Sequence, residues 1–354
     1  MEYIEVFERL GQTLNYKFVL ILDQWESLRV VQNFTKPNDF TLMTDFKHLD
    51  YWAIGNAILI EDIFYEIDGV KSEEDGLKVT GKSMSQKLSQ RVIRQEYLRN
   101  SVKPERAAYD IVARNLNYNP YGDPIVQIAE PAEFSNYFIR YQAHYKETLE
   151  VLIELCETHS FGYFEKPIRA NIVSCMINLS KGRDLSGKVV FSIQNENLLS
   201  EEFEKSDRDK KDYAWVYGEG EGVARKVIAV DQSTHNLDRY ELYVDARDIQ
   251  SEVEDGVVLS DAEYYAMLEE RGRQKLAENA PVFSLSGVID PNSKLFELGK
   301  DYWLGDIVTI ESQKFNLKTN LQITSIQQTW DSTGYHIDPI FGKESPTIFE
   351  KLRR

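Results

Sequence analysis

The chain has 354 residues and carries 41 basic against 58 acidic side chains, a formal charge of −17. That length predicts more than one domain. So acidic a surface argues against a grip on nucleic acid, which depends on lysines and arginines displacing counterions from phosphate. It is compatible with a channel wall past which DNA slides. Two cysteines, Cys156 and Cys175, supply no disulfide framework, and Cys156 sits in an apolar helical stretch as a small core residue. No run reaches the ~18 apolar residues of a membrane span. Met1-Glu2-Tyr3-Ile4-Glu5 does not resemble a signal peptide, so synthesis in the cytoplasm is expected.

In chain order, residues 18–22, 28–34, 40–42, 57–67 and 77–79 read as short strands, with Lys36-Pro37-Asn38-Asp39 as a turn. Closely spaced strands with polar turns predict a small barrel or sandwich. Over 83–97 the spacing of Met84, Leu88, Val92 and Ile93 predicts a helix. Pro104 suits a first helical turn, followed by the stripe Ala107, Ala108, Ile111, Val112 and Leu116. A second helix is expected over 146–159, with Leu149, Leu152, Leu155 and Cys156 inward and a stop near Gly162. A strand is expected over 170–179.

The last third returns to strands at 189–193, 213–217, 223–230 and 240–244. Ser260 and Glu263 predict a capping box for a helix reaching about residue 278. Strands over 281–288, 307–310 and 321–330 complete the set. The expected class is α+β, mainly β. A first barrel spans 1–99, an α+β insertion 100–186, and a second barrel 187–342 with an inserted helix near 260–279. A tail follows over 343–354. Two β units around a helical middle suggest a loose duplication, although no sequence repeat establishes it.

Little in the chain points to a reaction. His48, His144, His159, His235 and His336 are scattered without metal-ligand spacing and read as surface or loop residues. Gly81-Lys82-Ser83-Met84-Ser85 lacks the second glycine of a nucleophile elbow. Gly218-Glu219-Gly220-Glu221-Gly222 looks like a phosphate loop, yet two carboxylates would face the phosphate and no Lys-Ser or Lys-Thr follows. A tight turn between two strands fits better.

The charged stretch 238–248 could hide a glycosidase carboxylate pair. Alternation there reads better as a strand with Arg239, Glu241 and Tyr243 outward and Tyr240, Leu242 and Val244 inward. Arg239 and Arg247 are then placed to pair with neighbouring carboxylates. Leu304-Gly305-Asp306 reads as a turn feeding a strand. No catalytic, cofactor or metal site is expected.

Several separated pieces, in order, resemble the siphophage tail-hub proteins, which share the fold of the contractile-phage baseplate hub. They are the unit 18–93 with Leu77-Lys78-Val79-Thr80-Gly81, then Val190-Phe191-Ser192 and Asn197-Leu198-Leu199. Ala214-Trp215-Val216-Tyr217 runs on through Gly218, Gly220, Gly222 and Arg225 to Arg239, Glu241, Asp245, Arg247 and Asp248. Gly305-Asp306 and Ile340-Phe341-Gly342 come last. In that family such residues are architectural.

The resemblance implies a homotrimer at the virion tail tip whose six similar barrels match a sixfold tube to a threefold tip. The implied partners are the distal tail protein, the tape-measure protein and receptor-binding or fibre proteins. Phage DNA passes through without specific binding, and no membrane anchor is implied. An acidic lumen is expected on this reading. Many relatives carry a C-terminal extension with fibre or wall-degrading domains, which this chain is expected to leave to a separate polypeptide. The alternative is a tail protein that binds or hydrolyses envelope carbohydrate.

Overall fold

The computed structural model describes residues 3–11, 15–117, 126–169, 173–234, 237–253, 257–290, 293 and 295–343. The N-terminal unit contains β1 (Ile4–Arg9), β2 (Tyr16–Leu22), β3 (Ser27–Asn33), β4 (Asp39–Thr44), β5 (Ala57–Ile60), β6 (Ile63–Ser72) and β7 (Leu77–Ser83). A middle region follows with β8 (Tyr97–Val102), α1 (Pro104–Asn117), β9 (Val126–Ile128), β10 (Ile139–Ala143), α2 (Thr148–His159), β11 (Gly162–Arg169) and β12 (Val173–Ser180). Next come β13 (Val190–Phe191), β14 (Leu198–Ser206), β15 (Tyr213–Tyr217), β16 (Val227–Asp231), β17 (Glu241–Asp245), β18 (Glu252–Val253), β19 (Val257–Val258) and α3 (Asp261–Glu278). The chain closes with β20 (Val282–Ile289), β21 (Ile307–Ser312), β22 (Leu317–Asp331) and β23 (Gly334–Lys343).

The fold is mainly β, and its two β units are one sheet. Thirteen strands run in the order β14-β20-β23-β22-β3-β4-β7-β6-β5-β1-β2, with β21 on β22 and β13 on β21. The seam is the antiparallel ladder of β22 with β3, from Ser325 opposite Asn33 to Trp330 opposite Leu28. Alternation along each strand sends one set of side chains inward. Leu28, Val30, Phe40, Leu42, Ile67 and Val79 fill the N-terminal core, and Phe191, Leu285, Ile310, Ile323 and Phe341 fill the C-terminal one.

The two units are a duplication. In chain order β1, β3, β4, β5, β6 and β7 correspond to β13, β14, β20, β21, β22 and β23, and the pairing order β1-β5-β6-β7-β4-β3 becomes β13-β21-β22-β23-β20-β14. The ladders match too, except that β1 runs antiparallel to β5 whereas β13 runs parallel to β21. A shared turn makes the correspondence exact to the residue. Gly55 and Gly305 hold φ of 91° and 89°, a left-handed conformation that favours glycine. Gly55 N–H donates to Ile67 O at 2.9 Å and Gly305 N–H to Ile323 O at 2.8 Å. Ile67 N–H returns to Asn56 O and Ile323 N–H to Asp306 O, at 2.8 and 2.9 Å. A β-bulge follows at the same place, between Ile67 and Gly69 and between Ile323 and Ser325.

Several expected elements differ. The run 57–67 is a hairpin, because Glu61 and Asp62 both adopt positive φ and turn the chain back between β5 and β6. The helix expected over 83–97 is a 3-10 turn over Met84–Gln90 followed by extended chain into β8. Met84, Leu88 and Ile93 are buried as expected, but Val92 is exposed. Helix α2 ends on Ser160 at φ 56°, and Gly162 opens β11 instead of stopping the helix. The strand expected over 170–179 is described from Val173; residues 170–172, His235 and the tail from 344 lie outside the described residues.

The largest difference concerns residues 213–245. Their strands stand outside the large sheet, in a separate sheet of order β16-β15-β17. Helix α3 packs over it, with Gly272 so close that a Cβ would lie 2.6 Å from Val230 and 2.9 Å from Val216. Its own core joins Ala214, Val216, Val244, Tyr264 and Leu268. The element inserted between β14 and β20 is therefore a small α/β unit. Apolar alternation marks a buried face but not which sheet buries it, and that ambiguity placed these strands in the barrel. Ser260 caps α3 through the expected capping box with Glu263.

Candidate assembly surface

The outer side of the large sheet is mostly polar and continues across the seam. One row reads His336, Thr329, Arg29, Thr41, Thr80 and Gly69 from β23 to β6, each opposite the next. The adjacent row reads Asp338, Gln327, Val31, Asp39, Lys82 and Glu66. Toward β14 the face continues through Ile340, Ser286 and Glu202.

Hydrogen bonds knit this face together. Arg29 Nη1 donates to Gln327 Oε1 at 3.4 Å across the seam, Gln327 Nε2 donates to Asp338 at 3.4 Å, and Arg29 pairs with Asp39 at 3.6 Å. Thr80 Oγ1 donates to Asp68 at 2.9 Å. Burial raises the carboxyls of Asp39 and Asp338 above the usual range, against Arg29 and Lys82 for the first and Gln327 and His336 for the second. Hydroxyl and amide groups are interspersed with charges of both signs, among which carboxylates outnumber basic groups.

Gly305 and Asp306 belong to the joint where the units meet. A Cβ on Gly305 would stand 2.2 Å from the ring of Phe34, the residue that follows β3. Gly162 packs on the same phenylalanine, where a Cβ would lie 2.2 Å from Phe34 O. Phe34 N–H donates to Thr324 O at 3.0 Å, and Phe34 O accepts from Tyr163 N–H at 2.8 Å. Asp306 is 2% exposed. It accepts from Arg183 N–H at 2.8 Å, from the Arg183 guanidinium at 3.1 Å and from Trp303 N–H at 2.9 Å. Leu304-Gly305-Asp306 is a turn feeding β21, as expected, and the joint explains its residue types.

The other motif residues lie in the inserted α/β unit. Gly218 N–H donates to Lys226 O at 2.9 Å, and Gly220 and Gly222 take positive φ, so the glycine run is a turn between β15 and β16. Strand β16 starts later than expected because Gly222–Ala224 form a 3-10 turn. Arg225 Nε donates to Gly220 O at 3.1 Å. Glu219 accepts from Ser251 N–H at 2.8 Å and pairs with Lys226 at 3.1 Å. Its carboxylate is committed to closing the turn.

In β17, Glu241 and Tyr243 are exposed, Val244 is buried and Leu242 is half-buried. Tyr240 is exposed instead of inward and lies beneath Lys210. Arg239 Nε donates to Glu241 at 2.8 Å, and Arg247 Nε donates to Asp245 at 2.9 Å. Asp248 accepts two bonds from Arg271, at 2.9 and 2.8 Å. Hydrogen bonds and charge from Arg247 hold the Asp245 carboxyl below its ordinary value. Burial alone would raise Asp248, but its bonds to Arg271 outweigh that and lower it. Neither is arranged as a general acid, which needs a raised carboxyl.

His159 departs from its expected surface position. At the end of α2 its side chain is 5% exposed, with Nε2 3.0 Å from Glu270 of α3 and Nδ1 3.0 Å from Tyr137 Oη. Cys156 and Cys175 are buried free thiols, and burial pushes both well above their ordinary value. Among the described residues no three His, Cys, Asp or Glu side chains gather as a metal site, and no helix is long and apolar enough to cross a membrane.

Sequence reasoning missed Phe34, Gly162 and Arg183. The legible signal was the likeness of Trp52-Ala53-Ile54-Gly55-Asn56 to Tyr302-Trp303-Leu304-Gly305-Asp306.

A tail protein from Neisseria meningitidis MC58 shares the fold with a TM-score of 0.56 at 12% identity, covering 97% of this chain and 96% of that one. Prophage tail protein gp18 from Listeria monocytogenes EGD-e gives 0.57 at 10% identity, covering 99% and 97%. The 43 kDa tail protein of prophage MuSo2 from Shewanella oneidensis gives 0.56 at 12%, covering 96% and 98%. Among curated proteins none matches. The chain belongs to the siphovirus ReqiPepy6 Gp37-like protein family, whose model matches residues 3–343. Its fold is the one that these phage and prophage tail proteins share.

Proposed function

We propose that this protein is the structural hub at the tip of the tail, acting without catalysis. As a homotrimer it closes the tail tube and adapts sixfold tube symmetry to a threefold tip. It holds the distal tail ring and receptor-binding proteins, contacts the tape-measure protein, and lets DNA pass. The observation that carries this reading is the pair of equivalent units joined in one sheet. Three chains then offer six equivalent units, the number a sixfold tube requires.

The polar outer face supports a lumen in which DNA finds no cluster of positive charge to hold it. Asp39, Glu66, Glu202 and Asp338 against Arg29 and Lys82 give the face the sign that the expected acidic lumen requires. Two measurements test the proposal. Light scattering of the purified chain is expected to give three times the 41.1 kDa monomer mass, and antibody-labelled virions are expected to carry label at the tail tip. A monomer at every concentration, or label at the head or neck, overturns it.

A further inference from the structure

The inserted α/β unit turns one face of its three-stranded sheet away from its own helix. Ala214 and Val216 of β15, Val230 of β16 and Val244 of β17 pack with Tyr264 and Leu268 of α3. Side chains alternate along a strand, so the residues between these form the opposite face. The two ladders fix its layout. One row reads Asp231, Tyr213 and Glu241, the next Ala229, Trp215 and Tyr243, and the third Val227, Tyr217 and Asp245.

The middle of this face is aromatic. Tyr243 is 61% exposed, Trp215 and Tyr217 are half-buried, and the exposed Ala229 beside Trp215 adds no bulk. The Tyr217 and Tyr243 rings lie 4.9 Å apart, and those of Tyr213 and Trp215 lie 5.3 Å apart. Polar groups border the patch. Arg239 covers the buried Tyr213 ring at 4.3 Å and bonds Glu241. Arg247 bonds Asp245 at the other end, and Asp231 accepts from Ser233 N–H at 2.9 Å. Arg225 adds a positive charge near Asp245. The three guanidiniums of this border balance its three carboxylates, in a chain whose net charge is −17.

We propose that this face is a binding platform for a neutral oligosaccharide. The aromatic faces pack against the apolar C–H side of a sugar ring, and the bordering ion pairs donate to and accept from its hydroxyls. Balanced charge matches an uncharged ligand, whereas a phosphate-rich one needs an excess of positive groups. A folded partner or a second copy needs more area. Each strand has five residues, so the face measures about 17 by 14 Å, or about 240 Å². A stable complex takes about 800 Å² from each side. The platform binds without cleaving. Hydrogen bonds from Ser233 and Arg247 hold the carboxyls of Asp231 and Asp245 below their ordinary value, so neither is poised to protonate a glycosidic oxygen.

Calorimetric titration of the full chain tests this. The probes are short neutral oligosaccharides of hexoses and N-acetylhexosamines, with a proline-rich peptide as the rival ligand for an aromatic surface. At least one sugar is expected to bind, equally well at low and high salt. Trp215→Ala is expected to weaken it at least about tenfold. Tyr243→Ala, which removes an exposed ring and spares the core, is expected to weaken the same binding several-fold. Tyr145→Ala, at an exposed tyrosine outside this unit, is expected to leave it unchanged. Failure of every sugar to bind, or binding of the peptide in their place, overturns the platform. So does sugar binding that both Trp215→Ala and Tyr243→Ala leave intact, or an affinity that collapses with salt. The scattering mass that tests the hub stands apart from all of these outcomes.

Discussion

The two β units share a topology, a glycine turn and a bulge, yet differ at the residue after the glycine. In the first unit Asn56 follows Gly55, with its amide donating to Tyr51 O at 2.8 Å and its carbonyl oxygen accepting from Arg9 N–H at 2.9 Å. In the second unit Asp306 follows Gly305 and reaches 123 residues back along the chain to Arg183. The repeated turn sets the fold of each unit. The aspartate adds a tie between the second unit and the segment entering it. The units also hold their insertions differently. Ser83 at the end of β7 hydrogen-bonds Glu165 of β11, whereas Lys343, its counterpart at the end of β23, bonds Glu278 O at the end of α3.

The glycines give the sharpest way to break this comparison. Gly305→Ala forces a Cβ onto the buried Phe34 ring and a left-handed φ onto an L-residue, and is expected to cost about 3 kcal/mol. In Gly55→Ala the nearest atom is the far end of the Arg9 side chain, at 3.4 Å. Only the backbone cost of about 1 kcal/mol applies there. Denaturant unfolding of both variants should separate them; equal losses contradict the role given to the joint.

Asp306→Asn converts the second turn to the first unit's chemistry. Charge-assisted bonds are worth about 1.5–3 kcal/mol, but the Arg183 side chain is 49% exposed and solvent screens it. The expected loss is about 1–2 kcal/mol, and an unchanged unfolding midpoint removes the tie. Ser260→Ala, which uncaps α3 in the inserted unit alone, should cost about 1 kcal/mol. Thermal melting checks it, and no shift means the cap is dispensable.

The smallest effect is conditional on pH. Burial is the main cause that raises the Glu165 carboxyl from an ordinary 4.5, against the bonds it accepts from Ser83 and Ser85. Below the ordinary value both folded and unfolded states hold the proton. As pH rises toward the raised folded value the unfolded state ionises first, so stability falls and stays reduced above it. Glu165→Gln removes this dependence, and its stability relative to the unmodified protein should rise as pH increases from about 4.5. A difference independent of pH sinks the idea.

Much of this was legible in the sequence where a residue's own chemistry decides the outcome. The capping box at Ser260, the stripe of α1 and the glycine turn at 218–222 depend on neighbours in sequence. The seam between Leu28 and Trp330 joins residues about 300 apart, and no local pattern announces it. Strands 213–217 and 240–244, Tyr240 apart, carried the right alternation and the wrong sheet, because periodicity reports burial without naming a partner. The Arg183–Asp306 tie was hidden for the same reason. The repeated glycine turn could have been found, but its likeness is short and polar at one position.

The central claim is that two equivalent units in one sheet make the wall of a tube. Electron-microscopic averages of the purified assembly test it most directly. The account predicts a threefold particle with six similar lobes around a central channel, lined by the face that carries Thr41, Thr80, Gln327 and Thr329. A particle with no channel, or one whose channel is lined by the inserted α/β unit, contradicts it.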